Sequence, residues 1–196
     1  MNDFSLWFGT GMEHIADFSG YDHMLFLLAL CGVYEIKDWK KILVLITAFT
    51  IGHSITLALS VFDIFRLPSP LIEFLIPVTI FITCLNYLRK PANPTESSMK
   101  LSYSMALIFG FIHGMGFSTL LRSMLGSEES IALPLLFFNL GIEAGQVFIV
   151  VGIMVFSLFL TRIAGVPPEK WKFYISSAVS GVALMMMAER IPALFE

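Results

Sequence analysis

The sequence predicts an all-α integral membrane protein: one transmembrane domain over residues 1–196, folded as a bundle of about six transmembrane helices. Three observations carry that reading. Hydrophobic residues make up 57% of the chain and charged residues only 14%, where a soluble domain carries about 25% charged residues. Mean hydropathy is +0.81. The apolar residues also gather in continuous windows, most of them near the ~20 residues that a bilayer crossing needs. A soluble fold of this size has no interior large enough for so much apolar surface. The same composition excludes disorder, a coiled coil and a nucleic-acid-binding domain. An open β-barrel is excluded because the runs are continuous rather than alternating.

The windows fall at about 12–34, 42–62, 70–88, 102–122, 131–161 and 173–191. Each must be helical, because lipid offers backbone groups no hydrogen-bond partners. The first is irregular. Glu13, His14 and Asp17 precede Ser19-Gly20, and the clean apolar run from Met24 to Val33 is short. The expectation is a surface-lying or re-entrant piece, a break near Gly20, then the membrane helix. Broken helices are tolerated where they face protein or a cavity. The N-terminus has no basic region followed by a small-residue cleavage pattern, so it is expected to stay as part of the fold. Cys31 and Cys84 both lie in apolar segments and read as inert buried thiols.

Orientation follows from lysine and arginine. Lys37, Lys40 and Lys41 lie between the first and second windows. Arg89, Lys90 and Lys100 flank the third connection, and Arg162, Lys170 and Lys172 the fifth. The alternate connections and the C-terminal end carry Arg66, Arg122 (beside Glu128 and Glu129) and Arg190. The division is nine against three. Both termini of this multi-pass protein are therefore expected outside, with the three basic loops in the cytoplasm.

The polar residues within the windows point to function. His14, His23, His53 and His113 all lie in or at the edge of spans, as do Asp22, Glu73 and Glu143, with Asn86, Asn139 and Gln146. Such groups cost several kcal/mol in hydrocarbon unless they are neutral, paired or metal-bound. So many in one small chain imply a shared polar site. At about 1.5 Å per helical residue, His23, His53 and His113 each fall roughly 13 Å below the outer surface. They form a layer near the midplane, with Asn139 at similar depth and Glu143 about 6 Å deeper. His14 and Glu73 are expected above it, nearer the outer mouth.

Helical faces agree with this layer. Asn139, Glu143 and Gln146 share one stripe, and Thr50, His53, Thr56 and Ser60 another. Gly110, Gly114 and Gly116 surround His113 with small residues, which also suits close helix contact. A faint echo links Phe49-x-x-x-His53 with Phe109-x-x-x-His113. Imidazoles with a carboxylate nearby suit a borderline divalent metal (Ni, Co or Zn) rather than Mg or Ca. The candidate ligands are His14, Asp22, His23, His53, His113 and Glu143. Asp17, Thr50, Ser54, Glu73, Asn139 and Gln146 are candidates for supporting them or lining a pathway. The alternative is a proton-shared histidine cluster that only staples helices. Ser54 directly follows His53, so the two point about 100° apart and make a poor nucleophile–base pair.

At these motifs the chain resembles the HupE/UreJ family of bacterial membrane proteins. The resembling residues are His14-Ile-x-x-x-x-Gly20-Tyr-Asp22-His23, Phe49-Thr50-Ile-Gly-His53-Ser54-Ile-Thr56, and Glu73. With them stand Phe109-Gly-Phe-Ile-His113-Gly114-Met-Gly116-Phe117 and Phe138-Asn139-Leu-Gly141-Ile-Glu143-x-Gly145-Gln146. The resemblance implies a secondary permease of a bacterial inner membrane for nickel, or cobalt, in a family often associated with hydrogenase or urease maturation. It implies the same six candidate ligands. Partners are then the bilayer, the metal ion, and a second copy or metalloenzyme-maturation proteins, with no nucleic acid. Two other classes stay open: an intramembrane zinc hydrolase with Glu143 or Asp22 as general base, and a metal-binding accessory subunit.

Overall fold

A computed structural model describes residues 3–17, 20–65, 67–89, 96–125 and 131–195, without the side chains of 96–98, 118–120, 122 and 125. Ser19, Arg66, Lys90, Glu128, Glu129 and the side chain of Arg122 lie outside the described residues. The described residues are helical and contain no strand. Seven α-helices follow in order: α1 (Asp3–Ile15), α2 (Asp22–Cys31), α3 (Trp39–Val61), α4 (Ser69–Arg89), α5 (Glu96–Leu125), α6 (Ala132–Leu158) and α7 (Pro168–Arg190). Single 3-10 turns precede α3 and follow α7, and a π turn, Phe159–Ile163, extends α6. Pro168 opens α7 where its missing N–H costs nothing. Gly165 takes φ +70° after the π turn, a left-handed conformation that suits glycine.

Four helical stretches among the described residues are long and apolar enough to cross a membrane: Ile36–Val61, Ser69–Arg89, Ala132–Ile163 and Pro168–Arg190. The chain is thus a multi-pass helical membrane protein. The first window divides into two helices, neither of which is long enough alone. α1 has 13 residues, about 20 Å, and α2 has 10, about 15 Å. The expected break near Gly20 lies between them. α1 packs along α6 and buries Trp7, Gly11 and Ile15.

Glycines decide which helices pair. A Cβ on Gly11 would strike the carbonyl oxygen of Phe138, and one on Gly141 would strike that of Phe8. α1 and α6 therefore touch backbone to backbone and run parallel. α3 and α5 repeat the arrangement. A Cβ on Gly110 would meet the Phe49 carbonyl, one on Gly52 the Leu107 carbonyl, and one on Gly114 the His53 carbonyl. Small residues permit this approach between membrane helices. The echo between the two Phe-x-x-x-His segments is thus a pair of neighbours, side by side on parallel helices. α4 and α7 form the third large contact, and they run antiparallel.

The basic segments cluster at one end of the bundle. There Trp171 Nε1 donates to the Gly32 carbonyl at 2.9 Å. The Tyr87 hydroxyl lies 3.3 Å from the Leu30 carbonyl and 3.2 Å from the Tyr34 hydroxyl. Beneath these, Phe26, Leu30, Ile46, Phe49 and Ile80 form the larger apolar core. A smaller core of Trp7, Ile15, Leu57, Leu121, Phe138 and Ile142 lies toward the opposite end. Cys31 and Cys84 are free thiols buried in the larger core.

Candidate metal centre

The histidines lie between the two cores. His14 comes from the last turn of α1, His23 from the first turn of α2, His53 from α3 and His113 from α5. The His14 ring lies 3.8 Å from that of Phe117. The His113 ring packs against Phe26 and Phe49 at 5.4 and 5.3 Å. His23 is central, with ring centroids 4.7 Å from His14 and 5.1 Å from His113.

His14, His23 and His53 each offer a ring nitrogen within 4.8 Å of the others. This grouping differs from the expected layer. Depth counting puts His14 above the layer, and the packing of α1 on α6 leaves its ring 4.7 Å from that of His23. His113 stands on the other side of His23 and is not one of the three. A tetrahedral metal with bonds of 2.0–2.1 Å would hold its nitrogens about 3.3 Å apart. The three rings therefore need modest inward rotation to share an ion.

Their nitrogens are available. Nε2 of His14 and His23, and both ring nitrogens of His53 and His113, are buried without a hydrogen-bond partner among the described residues. Leaving such a group unpaired costs about 1–3 kcal/mol. An imidazole nitrogen that lacks a donor or acceptor is the atom a borderline metal binds. The donor set thus fits a divalent transition ion.

Asp22 is placed behind the cluster rather than among its nitrogens. Its Oδ1 lies 3.2 Å from His23 Nδ1 and accepts the His23 backbone N–H at 3.0 Å. A carboxylate on one ring nitrogen leaves the other for a metal and fixes the tautomer. Glu143 lies apart from the three-histidine group, and its Oε1 accepts a bond from Thr47 Oγ1 at 2.8 Å.

The polar stripe of α6 meets α3 along its length. Asn139 lies beside His53 while its Nδ2 donates to the Leu135 carbonyl at 2.8 Å. Gln146 Oε1 accepts from Thr50 Oγ1 at 2.8 Å. Ser54 turns back on its own helix and donates to the Thr50 carbonyl at 2.7 Å. Glu73 is exposed one turn after the start of α4, and its carboxylate accepts a bond from Ser69 at 3.1 Å. It does not join the histidines. Asp17 lines an open cleft of about 580 Å³ together with Thr10, Glu13, His14 and Phe117. This cleft reaches His14 from the surface, and its carboxylates give it an acidic rim.

Two residues near the site escape sequence reasoning. Thr47 lies one turn before Thr50 on α3, so the spacing places it on the polar stripe. It pairs with Glu143 only because α3 and α6 touch. Arg190 reads in the sequence as a charge at the C-terminal end, yet its Nη2 lies 3.7 Å from Asp22 Oδ2. No local pattern signals that contact.

An apolar helical bundle with buried, unpaired imidazoles at its centre defines a multi-pass membrane protein with a histidine site. The family model described as HupE / UreJ protein matches residues 1–190, and the chain belongs to that family. No curated protein and no solved structure matches the chain.

Proposed function

We propose that the chain is a secondary permease for a divalent transition metal, with nickel the first candidate and cobalt or zinc the others. The observation that supports it is the convergence of His14, His23 and His53, each of which has at least one buried ring nitrogen without a protein partner among the described residues. Membership of the HupE/UreJ family supports metal transport as the purpose. In this reading the ion passes the acidic cleft at Glu13 and Asp17, meets His14 first, and is then shared with His23 and His53. His113 is the candidate fourth ligand or the next station. Asn139, Gln146 and Thr50 support the ligands from α6 and α3.

The chain crosses an inner membrane six times in this reading. α5 and the α1–α2 pair add the two crossings beyond the four long apolar stretches. Both termini face outward, and the basic end faces the cytoplasm. The packed Tyr34, Tyr87 and Trp171 at that end would part in the inward-open state, as alternating access requires.

A zinc hydrolase is the weaker reading. The two carboxylates available as general base are engaged elsewhere, Asp22 with His23 and Glu143 with Thr47. The test is uptake of nickel, cobalt and zinc into sealed vesicles holding the purified protein. The proposal expects flux above empty vesicles, abolished in His23→Ala. Uptake equal to that of empty vesicles for all three ions would sink it.

A further inference from the structure

Pro77 lies inside α4 and has no N–H. The carbonyl of Glu73, four residues earlier, therefore lacks its helical donor. Arg190, the last residue of α7, supplies one: its Nη1 donates to that carbonyl at 2.6 Å. The same guanidinium turns Nη2 toward Asp22 Oδ2 at 3.7 Å. The other oxygen of Asp22 faces His23 Nδ1. The contacts form one chain from α4 through α7 to α2. The Asp22 side chain is 14% and the Arg190 side chain 28% exposed.

The planar guanidinium explains why arginine fits this position. One nitrogen is fixed on a carbonyl, so the orientation of the other is fixed with it. The two Asp22 oxygens are then divided, one toward Arg190 and one toward His23. We infer that Arg190 is a positioning residue of the histidine site: anchored on the carbonyl freed by Pro77, it holds Asp22 so that the His23 proton stays on Nδ1 and Nε2 is left for the metal. This rests on the metal-binding reading above. It reaches beyond it by assigning a role to the end of α7 and to a proline in α4.

A simple staple between α4 and α7 would make a different prediction, because its loss would not depend on Asp22. The test measures Ni(II) affinity of the full-length protein in detergent for wild type, Arg190→Gln, Asp22→Asn and the double variant, with thermal midpoints alongside. Partners of this kind are worth about 10–100-fold in metal affinity. Arg190→Gln is expected to weaken binding about 10-fold in the wild-type background and less than about 2-fold in Asp22→Asn. Arg190→Lys keeps the charge without the fixed fork, so an intermediate loss is expected.

Wild-type affinity in Arg190→Gln, or an equal loss in both backgrounds, would overturn the inference and leave the metal site standing. If Arg190→Gln does not fold, Pro77→Ala serves instead. It returns a donor to the Glu73 carbonyl, competes with Arg190, and is expected to weaken Ni(II) only when Asp22 is present. If wild type binds no metal, the metal reading falls, and nitrogen-15 NMR of histidine in the metal-free protein decides the remainder. An Nδ1–H tautomer at His23 that is lost in Arg190→Gln supports the positioning role, and an unchanged tautomer refutes it.

Discussion

Nδ1 of His23 faces Oδ1 of Asp22 across 3.2 Å, which leaves Nε2 buried and unpaired on a ring grouped with His14 and His53. The contact divides the two ring nitrogens between orientation and ligation. Asp22→Asn should keep the fold but lose the fixed tautomer, since an amide can present its own N–H to the ring. Metal affinity should fall about 10–100-fold, as read by competition with a chelator of known strength. An unchanged affinity would mean that Asp22 does not orient His23.

Acidification should release the metal. Imidazole binds a metal only when its ligating nitrogen carries no proton, so protons and metal compete. Lowering pH weakens binding and raising it strengthens binding. Nickel titrations between about pH 8 and about pH 5 should show steadily falling affinity. Binding that is flat across this range would argue against histidine ligands.

Glu143 separates the observed site from the wider expected one. Its carboxylate is held by Thr47 and lies outside the three-histidine group. Glu143→Gln should therefore change equilibrium metal affinity by less than about 2-fold, as sites without shared contacts behave independently. Calorimetry beside His53→Ala checks this. A loss as large as that of His53→Ala would place Glu143 among the ligands after all.

Packing makes a prediction free of metal. Methyl groups on Gly110 and Gly141 would meet backbone carbonyls of α3 and α1, which cannot step aside. Gly110→Ala and Gly141→Ala should each cost about 1–3 kcal/mol, as overpacking does. Gly152 and Gly181 have nothing within 4 Å of such a methyl. Alanine at either should leave the thermal midpoint in detergent nearly unchanged. Equal effects at all four positions would contradict the pairing.

Hydropathy alone finds the four long apolar stretches among the described residues, because a membrane helix must be both apolar and self-satisfied in hydrogen bonds. The histidines are legible for the converse reason: polar groups in apolar windows are costly. The grouping of His14 with His23 and His53 is not. Depth counting assumes one continuous first span, whereas α1 and α2 are separate helices and α1 is set by its glycine contacts with α6. Those contacts join residues more than a hundred positions apart, and no local pattern encodes them. The partner of Asp22 is hidden likewise, since Arg190 lies at the far end of the sequence and counts there only as a charge at the C-terminal end. The carbonyl that Pro77 frees is that of Glu73, near the start of α4, and Arg190 takes it.

The most direct test of the histidine site is the metal content of detergent-purified protein after equilibration with nickel and removal of excess, measured by elemental mass spectrometry. Wild type should retain close to one ion per chain, and His14→Ala, His23→Ala and His53→Ala should each lose it. No metal in wild type, or metal retained in all three variants, would contradict the site.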